Sequence, residues 1–258
     1  MNRRPEMSRR RFFARVLGGA ATLALAGCQK LSQSEWFPKV LAVGERLSAA
    51  AGTLVAGRKA MAQEFTEADL SPSFRSNGTF RPQSAEYEAL LARSFADYAL
   101  VVDGLVADPR RYSLAELRAL ESRTQITRHD CVEGWSAIGK WKGVKLSTLL
   151  EAVRPAPAAR FVVFHCADPM ADDGKDPYYE SIDMDDAWHP QTILAYDLND
   201  APLPVGNGAP LRLRVERQLG YKHAKYVMRI ELVESFEKIH GGNGGYWEDQ
   251  GYQWYAGI

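Results

Sequence analysis

An α+β domain dominated by short strands is the fold class predicted for this chain, and three observations predict it. Strand-period segments such as "SRTQITRHDCV" and "LRLRVE" recur between residues 98 and 235. The helical segments between them are short, and one of them carries its own capping signal. No internal repeat or long low-complexity tract interrupts the mixture, which reads as strands and helices sharing one core.

The N-terminus reads "SRRRFFARVLGGAATLALAGCQK". A basic cluster at Arg9, Arg10 and Arg11 precedes Phe12, Phe13 and an apolar run from Val16 to Ala26. That run is short for a membrane-spanning helix and ends in small residues, so residues 1–27 read as an export signal. The Ser-Arg-Arg-x-Phe order resembles the twin-arginine type, which exports folded proteins and suits a cofactor inserted before export. "LAGC" resembles a lipobox with Cys28 as the lipidated first residue, the alternative being an ordinary signal with a chance cysteine. A lipid on Cys28 would tether the chain to a membrane surface without spanning it. The expected location is the periplasm.

Charge balance narrows the partners. The whole chain has 32 basic and 32 acidic residues, but residues 1–27 hold six arginines and one glutamate. The remainder is net acidic, which gives no drive toward nucleic acid. Residues 28–70 read as an alanine-rich helical extension, and residues 71–258 are long enough for one domain with a substantial core.

Within that domain, "YALVVDGLV" predicts a strand ending in a turn at Asp103-Gly104. "SLAELRAL" predicts a short helix capped by Ser113, with Glu116 completing a capping box. "SRTQITRHDCV" predicts a strand that delivers Cys131 at or just past its end, "WKGVKLSTLLEAV" a turn and a helix, and "ARFVVFHCAD" a buried strand ending at Cys166. Asp183, Asp185 and Asp186 lack EF-hand spacing and read as a solvated turn before a helix. "APLRLRVERQLGYKHAKYVMRIELVES" predicts two strands joined by a loop. Leu211, Leu213 and Val215 form an apolar face there, and Arg212, Arg214 and Glu216 a charged one.

Motif chemistry is mostly excluded. CxxC, HExxH, GxSxG and a strand-borne GxGxxG are all absent. With Cys28 set aside, two cysteines remain, and in an oxidising compartment Cys131 and Cys166 could form one structural disulfide. The rival reading is a lone thiolate serving a metal that brings its own organic ligand. Asn207, Arg212, Lys222, His223 and Lys225 would suit an anionic group, unless they are a solvated face of an edge hairpin.

"HDCVEGWSAIGKWKGVKLSTLL" resembles the cysteine segment of the sulfite oxidase superfamily of mononuclear molybdenum enzymes, closest to its methionine-sulfoxide reductase branch. "HPQTILAYDLNDAPLPVGNGAPLRLRVERQLGYKHAKYVMRIELVE" resembles the same family's molybdopterin-binding segment, and the likeness spans residues 72–235. It implies a sulfite-oxidase-type molybdopterin-binding fold with mixed β-sheets and one molybdenum per chain, held by the Cys131 thiolate. It also implies cofactor contacts from Asn77, Phe80, Arg81, Cys166, Asn207, Arg212, His223, Ala224 and Lys225, with Glu133 as a carboxylate close to the metal.

Departures from the family pattern bear on these assignments. Cys166 stands where that branch has threonine, and a thiol is the weaker hydrogen-bond partner. His223 replaces a small residue and would add a donor toward the phosphate. "CVEGW" differs from the glycine-asparagine-arginine pattern of sulfite-oxidising members. His129, Asp130 and Arg128 flank the cysteine without an assigned role, and Tyr246 and Trp247 in the glycine-rich C-terminal segment read as packing.

The expected activity is oxygen-atom transfer, reductive on a sulfoxide-like substrate. The alternatives are a sulfite dehydrogenase of the same fold and a non-catalytic ligand-binding envelope lipoprotein. No haem or iron–sulfur spacing is present. Electrons are therefore expected from a separate partner, which by the resemblance is a membrane quinol-linked protein or a cytochrome.

Overall fold

The computed structural model describes residues 60–170 and 177–258, together with Ser34, Trp36, Phe37, Val40, Val43 and Gly44. The chain divides into two units, Met1–Gly57 and Arg58–Ile258. In the first, Phe37, Val40, Val43 and Gly44 are helical. The signal expected at 1–27, the lipobox Cys28 and most of the extension expected over 28–70 lie outside the described residues. Residues 60–71 belong to the second unit. Phe65 N donates to Ile126 O (2.9 Å), Ser71 N to Ile138 O (3.1 Å) and Ala62 N to the Gln191 side chain (2.7 Å).

Ten strands and a few short helices build the second unit's described part. The first sheet comprises β1 (Ala99–Gly104), β2 (Arg110–Ser113), β5 (Phe161–Pro169), β6 (Pro177–Asp183) and β10 (Val227–Val233), in the order β2-β1-β10-β5-β6. It is mixed, because β1 runs parallel to β10 while the other pairs are antiparallel. The second sheet comprises β3 (Ser122–Asp130), β4 (Ser136–Lys145), β7 (Ile193–Leu198), β8 (Ala201–Pro202) and β9 (Arg212–Arg214). Its order is β3-β4-β7-β8, with β9 also paired to β7. One apolar core draws on both: Leu100, Val102, Ile230 and Leu232 from the first meet Val144, Leu194 and Leu213 from the second.

The helices fill gaps beside this core. They are α1 (Ala85–Ala92), α2 (Leu114–Ala119), α3 (Leu146–Val153), α4 (Met184–Ala187) and α5 (Tyr246–Asp249). The capping box expected of α2 is present, with Glu116 N donating to Ser113 Oγ and the Glu116 carboxylate accepting from Ser113 N. In α3 the buried positions Leu146, Leu149, Leu150 and Val153 follow the i, i+3, i+4, i+7 spacing of one helix face.

Four expectations are corrected. "WKGVK" is not a turn but the second half of β4. Gly143 sits there because the β7 backbone passes so close that an added Cβ would lie 2.1 Å from Leu194 O. The strand expected to end at Cys166 continues to Pro169. Asp186 is buried, not solvated, and pairs with Arg217 and Gln218, while Asp183 caps α4. Finally, β9 and β10 fall in different sheets, so they form no edge hairpin. The charged face of β9 points inward, with Arg212, Arg214 and Glu216 all at most 4% exposed.

Candidate active site

Cys131 follows directly on β3, whose inward positions Gln125, Thr127 and His129 are buried. A tight turn then reverses the chain. Gly134 N donates to Cys131 O (3.0 Å) and Cys131 N to Trp135 O (2.9 Å), and Gly134 takes the positive φ of 84° that the turn needs. The turn brings Cys131, Val132 and Glu133 to the wall of a cavity of roughly 170 Å³. The thiol is 8% exposed, lies 3.9 Å from the Asn77 amide nitrogen, and has its pKa raised mainly by burial. Cys131 and Cys166 are both free, so no disulfide joins them.

Three other segments bring polar groups to the wall. The loop around Asn77 is anchored by Phe74 edge-on to Trp141 (4.9 Å) and by Tyr226 Oη donating to Thr79 O (2.7 Å). Arg212 opens β9, where its guanidinium lies 5.4 Å from the Trp141 ring and one nitrogen donates to Asn207 O (3.2 Å). Lys225 Nζ donates to Asn77 O (2.7 Å), Gly206 O (3.0 Å) and Thr79 O. Burial, reinforced by the charge of Arg214, lowers the Arg212 pKa to about 9. Burial and Arg212 lower that of Lys225 to about 7.

His223 Nε2 lies 3.0 Å from Gln218 O and therefore carries the hydrogen, while burial and the two arginines keep the ring neutral. Its free Nδ1 is an acceptor, not the additional donor expected from the sequence. His129 uses Nδ1 to accept from Arg214 (2.9 Å), which fixes the same Nε2–H tautomer, and stays out of the cavity wall.

Buried polar atoms without protein partners surround the cavity: Asn77 Oδ1, Asp168 Oδ1, Arg212 Nε and His223 Nδ1. Folded proteins rarely strand such atoms, so four around one space mark a ligand with its own donors and acceptors. The two under-compensated cations call for an anionic part of that ligand. Among the described residues no group of three His, Cys, Asp or Glu could hold a metal. The described residues thus offer a metal beside Cys131 no cluster of further ligands of these types. The residues fit a metal held in an anionic, hydrogen-bonding organic group.

The cavity gathers Asn77, Cys131, Glu133, Arg212, His223 and Lys225 from the sequence-predicted set. Glu133 is exposed at its edge and accepts from Trp135 Nε1 (2.9 Å). Asn207 is buried behind Arg212, whereas Cys166 and Ala224 lie within the core. Phe80 is 67% exposed and Arg81 is occupied by Glu88 (2.7 Å), both outside the wall. Sequence reasoning missed Asp168, Tyr178, Tyr221 and Tyr252, and it assigned Trp247 to packing although Trp247 lines the cavity. None carries a local motif; only the inward parity of Tyr178 and Asp168 on buried strands gives any signal.

Comparison with known proteins gives this geometry a context. A family model described as "Oxidoreductase molybdopterin binding domain" matches residues 88–240. YedZ1 of Azospira oryzae, whose name provisionally makes it a protein-methionine-sulfoxide reductase subunit, is 46% identical over 162 residues. The alignment covers 63% of this chain and 56% of that one. The protein-methionine-sulfoxide reductase catalytic subunit of Ralstonia nicotianae is 34% identical over 178 residues, covering 66% and 53%. This chain thus spans about half the length of the curated relatives it matches. The sulfane dehydrogenase SoxCD of Paracoccus pantotrophus aligns with a TM-score of 0.49 and 22% identity, over 54% of this chain and 39% of that one.

Proposed function

The chain belongs to the molybdopterin-binding oxidoreductase family, and from that premise we propose that it reduces a sulfoxide, with Cys131 as the thiolate ligand of the metal. The observation that carries this reading is the lone Cys131 thiol on a cavity where Asn77, Arg212 and His223 hold buried polar atoms without partners. The names of the relatives support a sulfoxide substrate.

A molybdenum–molybdopterin group bound here would supply the two-electron redox chemistry that the reduction needs. The protein's own residues hold, orient and exclude. Cys131 would hold the metal as a soft thiolate, since a coordinated thiol is deprotonated despite the raised pKa of the free group. Arg212 and Lys225 offset the negative charge of the group. Asn77 Oδ1 and His223 Nδ1, both buried without partners, would accept hydrogen bonds from the group and orient it. Reducing a sulfoxide to a thioether and water consumes two electrons and two protons. Glu133 stands at the solvent edge, where its carboxylate can relay protons inward.

Export through the leader containing Arg9 and Arg10, periplasmic residence, a lipid on Cys28 and electron delivery by a membrane quinol-linked protein or a cytochrome belong to the same proposal. Replacing Arg9 and Arg10 by lysine should block export.

Expression in a pterin-making host should yield about one molybdenum per chain, and sulfoxide reduction should exceed sulfite oxidation. Cys131→Ala should keep the fold and abolish turnover, whereas Cys166→Ala should reduce it mildly. Full-length, folded wild-type protein that contains no molybdenum would sink the reading, and predominant sulfite oxidation would replace the substrate.

A further inference from the structure

Beyond residue 240, where the family match ends, the chain forms a strap that returns to the loop carrying Tyr221 and His223. Gln218 forms a β-bridge with Gly257, Leu219 N donates to Ala256 O (2.9 Å) and Tyr221 Oη to Gln253 O (2.7 Å). A buried latch ties the same two segments. Lys222 donates to Glu248 of α5 (2.6 Å) and to Glu180 of β6, and all three side chains are at most 1% exposed. The residues next to the latch in sequence are Tyr221 and Trp247, and both line the cavity.

The strap thereby builds an aromatic wall. The Trp247 and Tyr252 rings lie 5.3 Å apart at 32°, and Tyr221 meets Tyr252 edge-on at 5.3 Å. Tyr252 is 43% exposed and Val132, also in the wall, 45%, so this apolar surface opens to solvent. Its chemistry differs from that around Arg212 and Lys225. Lys222, the cation next to Tyr221 in sequence, is spent between two carboxylates and does not line the cavity. An aromatic, cation-poor surface cannot hold an oxyanion, but it suits a sulfur centre and its apolar substituent.

We infer that Trp247 and Tyr252, with Tyr221, are specificity-determining residues that bind the apolar substituent of the sulfoxide, and that the Lys222–Glu248 latch positions them. The inference rests on the sulfoxide reading and adds the part of the substrate that the strap recognises. The cofactor and the strap use different walls of one cavity.

The test uses the metal-loaded protein and three measurements: kcat/KM for methyl phenyl sulfoxide, kcat/KM for dimethyl sulfoxide, and equilibrium binding of methyl phenyl sulfide by calorimetry. Trp247→Ala and Tyr252→Ala should each lower kcat/KM for the phenyl substrate about tenfold or more, through KM, and weaken sulfide binding alike. Dimethyl sulfoxide turnover should change by less than about threefold, and molybdenum per chain should stay at the wild-type level. Trp247→Phe should restore most of the loss, while Tyr255→Ala, in the strap but outside the cavity wall, should change nothing. Equal losses for both sulfoxides, or loss of molybdenum from Trp247→Ala, would overturn the inference and make the strap a structural or cofactor-holding element. Failure of the wild type to bind the sulfide would overturn it even in an active enzyme. Trp247-dependent sulfide binding by a protein that reduces neither sulfoxide would support the wall and remove the sulfoxide activity instead.

Discussion

Arg212 and Arg214 stand two residues apart on β9, both at most 1% exposed and both over the Trp141 ring, but their polar partners differ. Arg214 holds Glu216 through two nitrogens (2.9 and 2.5 Å) and donates to His129 (2.9 Å). Arg212 has one carbonyl partner and an Nε with none. The lysines repeat the contrast: Lys222 lies between Glu180 and Glu248, whereas Lys225 donates only to carbonyl oxygens, feels the buried Asp168 carboxylate through charge alone, and faces the cavity. A buried cation with its own carboxylate is an internal matter of the fold. One with no carboxylate bonded to it is under-compensated for desolvation and favours a charge from outside. The chain thus separates folding cations from binding cations along a few residues.

Breaking the closed set should have the largest effect. Arg214→Leu leaves Glu216 buried without its cation and His129 without its donor, so unfolding free energy should fall by about 3–5 kcal/mol. Urea denaturation measures it, and adding Glu216→Leu should recover much of the loss. A fall of less than about 1 kcal/mol would erase the distinction between the two arginines.

The open set should respond in the opposite sense. Arg212→Leu removes a buried charge that has no bonded carboxylate, only one carbonyl and the face of Trp141. The cofactor-free protein should keep its stability within about 1 kcal/mol or gain some. Retention of molybdenum on dialysis should instead fall by about 10–100-fold, the usual loss on removing a supporting contact at a metal site. Metal analysis beside a denaturation curve reads both, and destabilisation as large as that of Arg214→Leu would break the comparison.

How much of this was legible in the sequence follows from the range of each signal. The α2 cap, the β3 alternation and the delivery of Cys131 past its end are local patterns, and they appear as expected. Arg212, His223 and Lys225 stand out in the sequence as part of an anion-binding set and Asn77 through family resemblance, and the fold brings all four to one cavity. The inward turn of the β9 charges was not legible, since alternation separates two faces without saying which one meets another sheet. The Lys222–Glu180 and Lys222–Glu248 pairs join residues 42 and 26 positions apart, and no window of local periodicity contains them. Trp247 and Tyr252 were obscured for a similar reason. A glycine-rich segment closing a domain looks like packing until its return path across the cavity is known.

The smallest expected effect sharpens the comparison through pH. Lys225 titrates near 7 in the folded protein against 10.5 ordinarily, because burial and Arg212 disfavour its charge. Between those values the unfolded chain binds more protons than the folded one, so stability must rise with pH. The penalty of the buried ammonium is fully present below about pH 7 and is relieved above it. The clean window is pH 7 to 8, below the ordinary thiol and tyrosine pKa values of about 8.5 and 10. Across it the cofactor-free protein should gain about 1 kcal/mol, since one proton is worth about 1.4 kcal/mol per pH unit at most. An anionic cofactor beside Lys225 would raise its pKa again and flatten the slope, and Lys225→Met should abolish the slope without any cofactor. If the slope survives in Lys225→Met, or is as steep in the loaded protein, Lys225 belongs with Lys222 among the folding cations.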